Sequence, residues 1–114
     1  MSLFIDADPA QLDAAVRTGV PAVEIHTGHF ADAENDKLRS DELRKIIDAV
    51  RHGADAGLQV NAGHGLNYHN VQSIAAIPAI SELNIGHAII ARALFSGMKM
   101  AVKEMKRLMI AARQ

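Results

Sequence analysis

Cysteine is absent from the 114 residues, which excludes disulfide bonds and thiolate metal ligands. No apolar run reaches the roughly 18 residues of a membrane span, and the chain does not open with the basic and apolar regions of a secretory signal peptide. Neither sign of charge dominates, because 12 Lys and Arg stand against 13 Asp and Glu. A general attraction to nucleic acid or membrane is therefore excluded, although a local anion site is not. We expect a soluble, cytoplasmic protein.

The composition is typical of one globular domain. Hydrophobic residues make up 49% of the chain and charged residues 22%, which are ordinary values for a folded protein. The length allows one domain with a buried core and is too short for two. No linker or low-complexity tract interrupts the chain. We therefore predict a single unit over residues 1–114.

Four short apolar stretches are each followed by a polar loop and then by helical spacing. They lie in "LFI", "AVEIH", "LQVNA" and "ELNI". Asp8 and Pro9 are typical of an N-cap and a first helical residue, and Gly19 is expected to end that helix. Ser40 is expected to begin the next helix and Gly57 to end it.

These strand-loop-helix units predict a parallel sheet with right-handed crossovers. Two architectures fit the pattern. One is a small open α/β sheet, and the other is half of a (β/α)8 TIM barrel, which in full needs about 250 residues. In both, ligands bind at the carboxyl ends of the strands. Those ends are polar here, with the sequences "FIDAD", "VEIHTGH", "VNAGHG" and "LNIGH". The sequence thus predicts a functional site at one pole of the sheet.

Two loops at successive strand ends share the pattern N-x-G-H. Gly63, Gly65 and Gly86 would let backbone N–H groups approach an anion closely, and the following helix would add its positive end. His64 and His87 would stand at the rim of such a phosphate site. The alternative is that these glycines only serve tight turns.

Glu24 and His26 are two residues apart on one predicted strand and therefore point to the same face. A carboxylate inside a barrel is costly unless it is paired or takes part in chemistry, and structural pairing is the alternative. Together with His64 and His87, these side chains could also ligate zinc. The chain has no H-E-x-x-H spacing, and we predict no metal site.

Several segments together resemble the C-terminal half of the pyridoxine 5′-phosphate synthase family, namely "SLFIDAD", "EIHTG", "VNAGHGLNYHNV", "IAAIP", "ELNIGHAII" and "EMKRLM". The resemblance extends over essentially the whole chain. It implies the (β/α)8 TIM-barrel fold, of which this chain would be a half-barrel of about four β/α units. It also implies a transferase that condenses 1-deoxy-D-xylulose 5-phosphate with 3-amino-2-oxopropyl phosphate to give pyridoxine 5′-phosphate, phosphate and water.

The resemblance also implies roles for five residues. His64 matches the proton donor of the family, and Glu24 matches the carboxylate that stabilises transition states. Gly65, Gly86 and His87 match positions that bind phosphorylated substrate. The family needs no metal or organic cofactor and forms homo-oligomers of barrels, so we expect the same here.

The first four strands of the family have no counterpart in this resemblance. The family has its histidine and glutamate bases and its substrate-binding arginines there, so we expect the chain alone to be incomplete as an enzyme. A half-barrel would also leave unpaired sheet edges near Phe4 and Ile85, and we expect pairing with a second copy or with a complementary N-terminal half.

The alternative function is a non-catalytic phosphate-binding or self-assembling half-barrel module. A third hypothesis, a small metal hydrolase, requires a bound ion.

Overall fold

The structure is a computed structural model that describes residues 1–114 as one sheet of four parallel strands with six helices. The strands are β1 (Ser2–Ile5), β2 (Ala22–His26), β3 (Gln59–Gly63) and β4 (Ile80–Asn84). The helices are α1 (Pro9–Thr18), α2 (Gly28–Ala31), α3 (Asp36–Asp55), α4 (Val71–Ala75), α5 (His87–Ser96) and α6 (Met98–Ala112). No helix combines the length and the hydropathy that a membrane crossing requires.

The order of the strands decides between the two predicted architectures. The strands neighbour one another in the order β1-β2-β3-β4, and every pair is parallel. Right-handed crossovers that always step in the same direction leave the helices on one face of the sheet. A doubly wound sheet would reverse direction and cover both faces. The fold is therefore the α/β half-barrel of four β/α units that the sequence predicts.

The helix-facing side of the sheet carries the hydrophobic core. Val23, Ile25, Val60 and Ala62 alternate along β2 and β3, and each is 1% exposed or less. They pack in one cluster with residues of α1 and α3 that include Leu12, Ile46, Ala49 and Val50. A fully buried aliphatic side chain contributes about 1.5–3 kcal/mol relative to an exposed one. This burial fixes α1 and α3 against the strands and leaves the strand ends free to carry a site.

Helix α1 begins and ends where the sequence predicts. Asp8 is the N-cap and accepts a backbone hydrogen bond of 3.0 Å from the first turn, with Pro9 at the first helical position. The helix ends at Gly19, whose φ of 80° suits glycine. Gln11 does not return to the N-cap, as a capping box would require. It accepts instead from the backbone N–H of Asp6 at 2.9 Å, which ties the end of β1 to the helix.

Helix α3 begins earlier than predicted. Its N-cap is Asn35, whose side-chain oxygen accepts from the backbone N–H of Leu38 at 2.9 Å. The prediction that Ser40 begins the helix is wrong, because Ser40 lies inside it. The first turn has no apolar periodicity, so the sequence pattern there is that of a loop. Polar pairs such as Arg39 with Asp36, at 2.7 Å, stabilise this exposed turn.

Two further boundaries differ from the prediction. Strand β4 runs from Ile80 to Asn84 and not over residues 82–85, because Ile80 is only 2% exposed and pairs with Val60 of β3. The stretch after β2, which the sequence indicates as a glycine-containing loop, contains the short helix α2. These shifts move elements by two residues or add one turn, and they leave the order of the units unchanged.

Helix α6 docks on the surface of the fold through one apolar face. Ala101 and Met105 of its apolar stripe are buried. Just beyond its end, the Arg113 guanidinium donates hydrogen bonds of 2.6–3.0 Å to three carbonyl oxygens, those of Ala75, Ile77 and Ile80. This clamp joins the end of α6 to α4 and the start of β4. Helix α5, in contrast, has no buried residue.

Candidate active site at the carboxyl ends of the strands

The face of the sheet opposite the helices is largely polar. Its residues align across the strands in two rows, which are Phe4, Glu24, Asn61 and Glu82, and His26, Gly63 and Asn84. Because side chains alternate between faces along a strand, the residues of one row point to the same side. Glu24 and His26 therefore share a face, as their spacing predicts. A closed barrel would turn this face inward.

An open cleft of about 1110 Å³ lies at the strand ends on this side. It is lined by all five residues to which the sequence assigns a role, which are Glu24, His64, Gly65, Gly86 and His87. Its apolar wall includes Phe4, Leu66, Leu83, Ile85, Ile90 and Leu94. An apolar wall with a few converging polar groups is typical of a small-molecule site. The structure brings the five residues together, and their roles stay predictions.

Glu24 is held from β4, across the intervening strand β3. Asn84 Nδ2 donates a hydrogen bond of 2.6 Å to Glu24 Oε1. A Cβ at Gly63 would lie 2.8 Å from Glu24 Oε2 and 2.8 Å from the carbonyl oxygen of Asn84, so the carboxylate lies over a bare glycine. The amide fixes one carboxylate oxygen and leaves the other without a protein hydrogen bond. Such a carboxylate can stabilise a positive charge that develops beside it.

The loop after β3 is fixed by two asparagines of "LNYHN". Asn70 Oδ1 accepts from the backbone N–H of Asn67 at 2.7 Å, and Asn67 Oδ1 accepts from that of Asn70 at 3.1 Å. Asn70 Nδ2 also donates to the carbonyl oxygen of Gly65 at 3.2 Å. Gly65 has a φ of 77°, and a Cβ there would lie 2.7 Å from Ala31 Cβ. The loop thus holds Gly65 against α2 in a conformation that favours glycine.

The loop after β4 leads into a helix without a side-chain cap. Gly86 is the N-cap of α5, which has no side-chain cap bond and no acidic residue in its first turn. Gly86, His87 and Ala88 all line the cleft. The first N–H groups of a helix have no intrahelical partner and carry the positive end of its dipole. This end of the cleft therefore suits an anionic group such as phosphate.

The two N-x-G-H motifs are not structurally equivalent. Gly63 ends β3 and pairs with Asn84, so the second motif is displaced by two residues along the strand direction. His64 lies in a loop with a φ of 95°, whereas His87 is the first residue of α5. The repeated sequence serves two local structures, one that presents a side chain and one that presents backbone N–H groups.

The four residues considered as zinc ligands do not converge. The ligand atoms that lie within 4.8 Å of one another belong to Asp6, His26 and His29. His26 Nδ1 accepts the backbone N–H of Gly28 at 3.1 Å, so in the neutral ring Nε2 carries the proton. Neither nitrogen of His26 then has a free lone pair for a metal ion, and this cluster gives no support to a metal hydrolase.

Two groups with a shifted pKa lie on α6, outside the cleft. Hydrogen bonds of 2.7 and 2.9 Å from the Arg107 guanidinium hold the pKa of Glu104 below its usual value of 4.5. The same contacts raise the pKa of Arg107. Both side chains are solvent-exposed, so this pair belongs to the surface of the helix and not to the chemistry of the cleft.

The residues that hold the predicted ones in place are not among the candidates that the sequence indicates. Thr27, at the end of β2, is fully buried and donates its hydroxyl hydrogen to the carbonyl oxygen of His64 at 2.6 Å. Asn84 anchors Glu24. The N-x-G-H motif includes Asn84 and could have pointed to it. Thr27 lies in the segment "EIHTG", but its contact depends on the register of β2 and β3, which no local pattern specifies.

Comparison with known proteins identifies the family. The family model described as pyridoxal phosphate biosynthesis protein PdxJ matches residues 1–111. The pyridoxine 5′-phosphate synthase of Aliivibrio fischeri is 56% identical over 114 residues, which are 100% of this chain and 47% of that protein. The chain thus spans about half the length of the curated relative that it matches. The resemblance seen in the sequence is confirmed, and the chain belongs to the PdxJ family.

Proposed function

We propose that this chain carries the phosphate-binding and proton-donating part of a pyridoxine 5′-phosphate synthase active site. The reaction is the condensation of 1-deoxy-D-xylulose 5-phosphate with 3-amino-2-oxopropyl phosphate to pyridoxine 5′-phosphate, phosphate and water. The observation that carries the proposal is that Glu24, His64 and the N-terminus of α5 line one cleft. Membership of the PdxJ family and the identity to a named synthase support the choice of reaction.

The α5 end of the cleft is the proposed phosphate site. Gly86 and His87 open a helix whose first N–H groups no side chain caps, and backbone donors of this kind bind phosphate without a metal ion. Gly65 adds a backbone N–H from the loop after β3, which lines the same cleft. A phosphorylated substrate bound here would have its carbon chain against the apolar wall.

His64 and Glu24 are the proposed chemical groups. Imine formation, dehydration and loss of phosphate each require proton transfer to or from oxygen, and an imidazole can supply a proton to a departing oxygen at neutral pH. In this proposal His64 is the donor. Glu24, fixed by Asn84 at 2.6 Å, stabilises the transient iminium cation, and a preorganised charge of this kind needs no reorganisation during the reaction.

These steps require neither a metal ion nor an organic cofactor, and we retain the prediction that the protein uses none. The proposal also keeps the predicted cytoplasmic location, because doubly charged phosphate esters do not cross a bilayer unaided.

An alternative function is a phosphate-binding, self-assembling half-barrel module without turnover. The exposed apolar surface of α5 favours it, since Leu94 is 81% exposed and Phe95 is 92% exposed. Such a module would bind phosphorylated ligands at Gly65 and Gly86, as the synthase would, and would release no product. Binding alone therefore does not separate the two functions.

Product formation separates them. Both substrates, at equal concentration, are incubated with the protein and a complementary N-terminal half of the family, which supplies the bases and arginines that this chain lacks. Pyridoxine 5′-phosphate is measured by mass spectrometry. We expect product from the wild type and a loss of about a hundredfold or more in His64→Ala, because a general acid contributes at least that factor. His69→Ala removes an exposed histidine outside the cleft and should keep the wild-type rate. Intact substrate binding with no product from the wild type would contradict the synthase and support the module.

A further inference from the structure

The backbone of His64 is held in an unfavourable conformation. It is the one residue other than glycine with a positive φ, and that angle is 95°. A side chain with a Cβ rarely adopts this region, because the Cβ crowds the neighbouring carbonyl oxygens. Such a conformation persists when the surroundings impose it, and it is concentrated at functional sites. The contacts that impose it on His64 are therefore of functional interest.

Thr27 fixes the chain on both sides of His64. Its hydroxyl donates to the carbonyl oxygen of His64 at 2.6 Å, and its backbone N–H donates to the carbonyl oxygen of Gly63 at 2.9 Å. The two carbonyl groups belong to the peptide planes before and after the Cα of His64. Because Thr27 is fully buried, water does not compete for these hydrogen bonds. One residue, directly after β2, thus orients both planes.

His26 fixes the imidazole ring of His64. The two rings stack with centroids 4.6 Å apart and planes inclined by 23°. The His26 ring is itself held, because its Nδ1 accepts the backbone N–H of Gly28 at 3.1 Å. A Cβ at Gly28 would collide with His26 Cε1 and lie 3.0 Å from His64 Cδ2. The absence of a side chain at position 28 is what lets the two rings stack there.

We propose that Thr27 and His26 are positioning residues for His64. Thr27 sets the backbone at His64, and with it the direction of the following Gly65 N–H, while His26 sets the plane of the imidazole. Neither residue lines the cleft, so both act through His64. The inference rests on the proposed function in one respect, which is that His64 is the group that gives up a proton to the substrate.

Two substitutions at position 27 test the backbone role. Thr27→Val keeps the shape and removes the hydroxyl, and Thr27→Ser keeps the hydroxyl. In the NMR spectrum of the protein without ligand, we expect Thr27→Val to change the scalar coupling that reports φ of His64 and to move the Gly65 amide signal. Thr27→Ser should retain both wild-type values. In the product assay, Thr27→Val should lower kcat roughly tenfold to a hundredfold and change KM by less than about twofold, because misplacing a reacting group affects mainly the chemical step.

Two substitutions at position 26 test the ring role and remain available if Thr27→Val does not fold. His26→Phe keeps an aromatic ring against His64, and His26→Leu removes it. The couplings that report χ1 of His64 should indicate one rotamer in His26→Phe and an average over rotamers in His26→Leu. A single, unchanged rotamer in both variants would contradict the role of His26.

The positioning role of Thr27 would be contradicted if Thr27→Val affected only the stability of the fold. Thr27→Val would then lower the free energy of unfolding and leave the His64 coupling and the Gly65 amide signal at their wild-type values. The NMR measurements do not depend on turnover. Changed His64 signals in a protein whose wild type makes no product would support the positioning role and contradict the synthase function, so the two proposals fail separately.

Discussion

At the residue scale, two glycines of the cleft differ in whether the backbone at their positions requires a glycine. Gly65 has a φ of 77°, and a Cβ there would approach Ala31 Cβ to 2.7 Å. Gly86 has a φ of −125°, and no atom beyond its two chain neighbours lies within 4 Å of the position that a Cβ would occupy. The loop after β3 therefore needs a glycine in order to fold. The loop after β4 has no such need, because the space beside Gly86 admits a small side chain.

This contrast predicts different costs for one substitution at the two positions. Gly65→Ala should lower the free energy of unfolding by about 1–2 kcal/mol or more, because the left-handed conformation carries that penalty for a residue with a Cβ. Gly86→Ala should change it by less than about 0.5 kcal/mol, as for an ordinary surface substitution. Urea denaturation of the two variants measures both values. Equal costs at the two positions would contradict the loop geometry.

A single sequence reveals some residues of the site and not others. Of the five predicted residues that line the cleft, His64, Gly65, Gly86 and His87 lie in or directly after the N-x-G-H motifs. Glu24 lies on a strand that leads into a polar loop. Both features are visible in a single sequence. The residues that hold them are not visible in this way. Thr27 contacts a residue 37 positions along the chain, and Asn84 contacts one 60 positions back. Such partners are determined by strand register, which no local pattern specifies.

At the element scale, the helices were predicted well where apolar spacing extends to their ends. Helix α1 has its N-cap, its first-position proline and its terminal glycine in the expected places. Helix α3 was predicted to begin too late, because its buried residues start only at Ile46 while the helix starts at Asp36. The first turns of α3 depend on Asn35 and on exposed ion pairs, which a hydrophobic pattern does not reveal.

The N-cap residue of α3, Asn35, contributes to the free energy of unfolding by an amount that can be measured. Asn35→Ala should lower the free energy of unfolding by about 1 kcal/mol, because it removes the acceptor for the Leu38 N–H. Ser40→Ala is the matched control. It should change stability by less than about 0.5 kcal/mol, because Ser40 is an exposed residue inside the helix. A larger effect at Ser40 than at Asn35 would mean that the helix begins where the sequence pattern placed it.

Helix α6 carries a pH-dependent contact. Arg107 lowers the pKa of Glu104 from its usual 4.5, so the pair stabilises the folded state above that pH and loses this contribution as pH falls through the lowered pKa. The free energy of unfolding should therefore fall slightly less at acid pH in Glu104→Gln than in the wild type. The rest of its dependence on pH should be unchanged. Denaturation midpoints measured between neutral and acid pH test this. A larger acid loss in Glu104→Gln than in the wild type would contradict the sign.

At the scale of the whole molecule, the half-barrel is open. The sheet ends at β1 on one side and at β4 on the other, and neither outer edge has a partner strand. The polar inner face is uncovered, and α5 exposes Leu94 and Phe95. Two copies related by a two-fold axis would pair each β4 with the β1 of the other copy and supply the eight strands of a TIM barrel. We therefore propose self-association of this chain.

Sedimentation velocity tests this proposal over a range of protein concentrations. We expect the wild type to sediment as a dimer or larger species at micromolar concentration. The double variant Leu94→Gln with Phe95→Gln should shift toward the monomer, because it removes exposed apolar surface that association would bury. A wild type that remains a folded monomer at all concentrations would contradict self-association and favour a complementary half as the partner.

The measurement that tests the central claim most directly is calorimetric titration with 1-deoxy-D-xylulose 5-phosphate and with inorganic phosphate. It compares the wild type with Gly86→Ala and Gly86→Asp, both of which the open space at Gly86 accommodates. If the N-terminus of α5 binds phosphate, the wild type and Gly86→Ala bind both ligands. Gly86→Asp then binds neither, because its carboxylate repels the anion. Equal binding by Gly86→Asp and Gly86→Ala would contradict the phosphate site and, with it, the proposed function of this cleft.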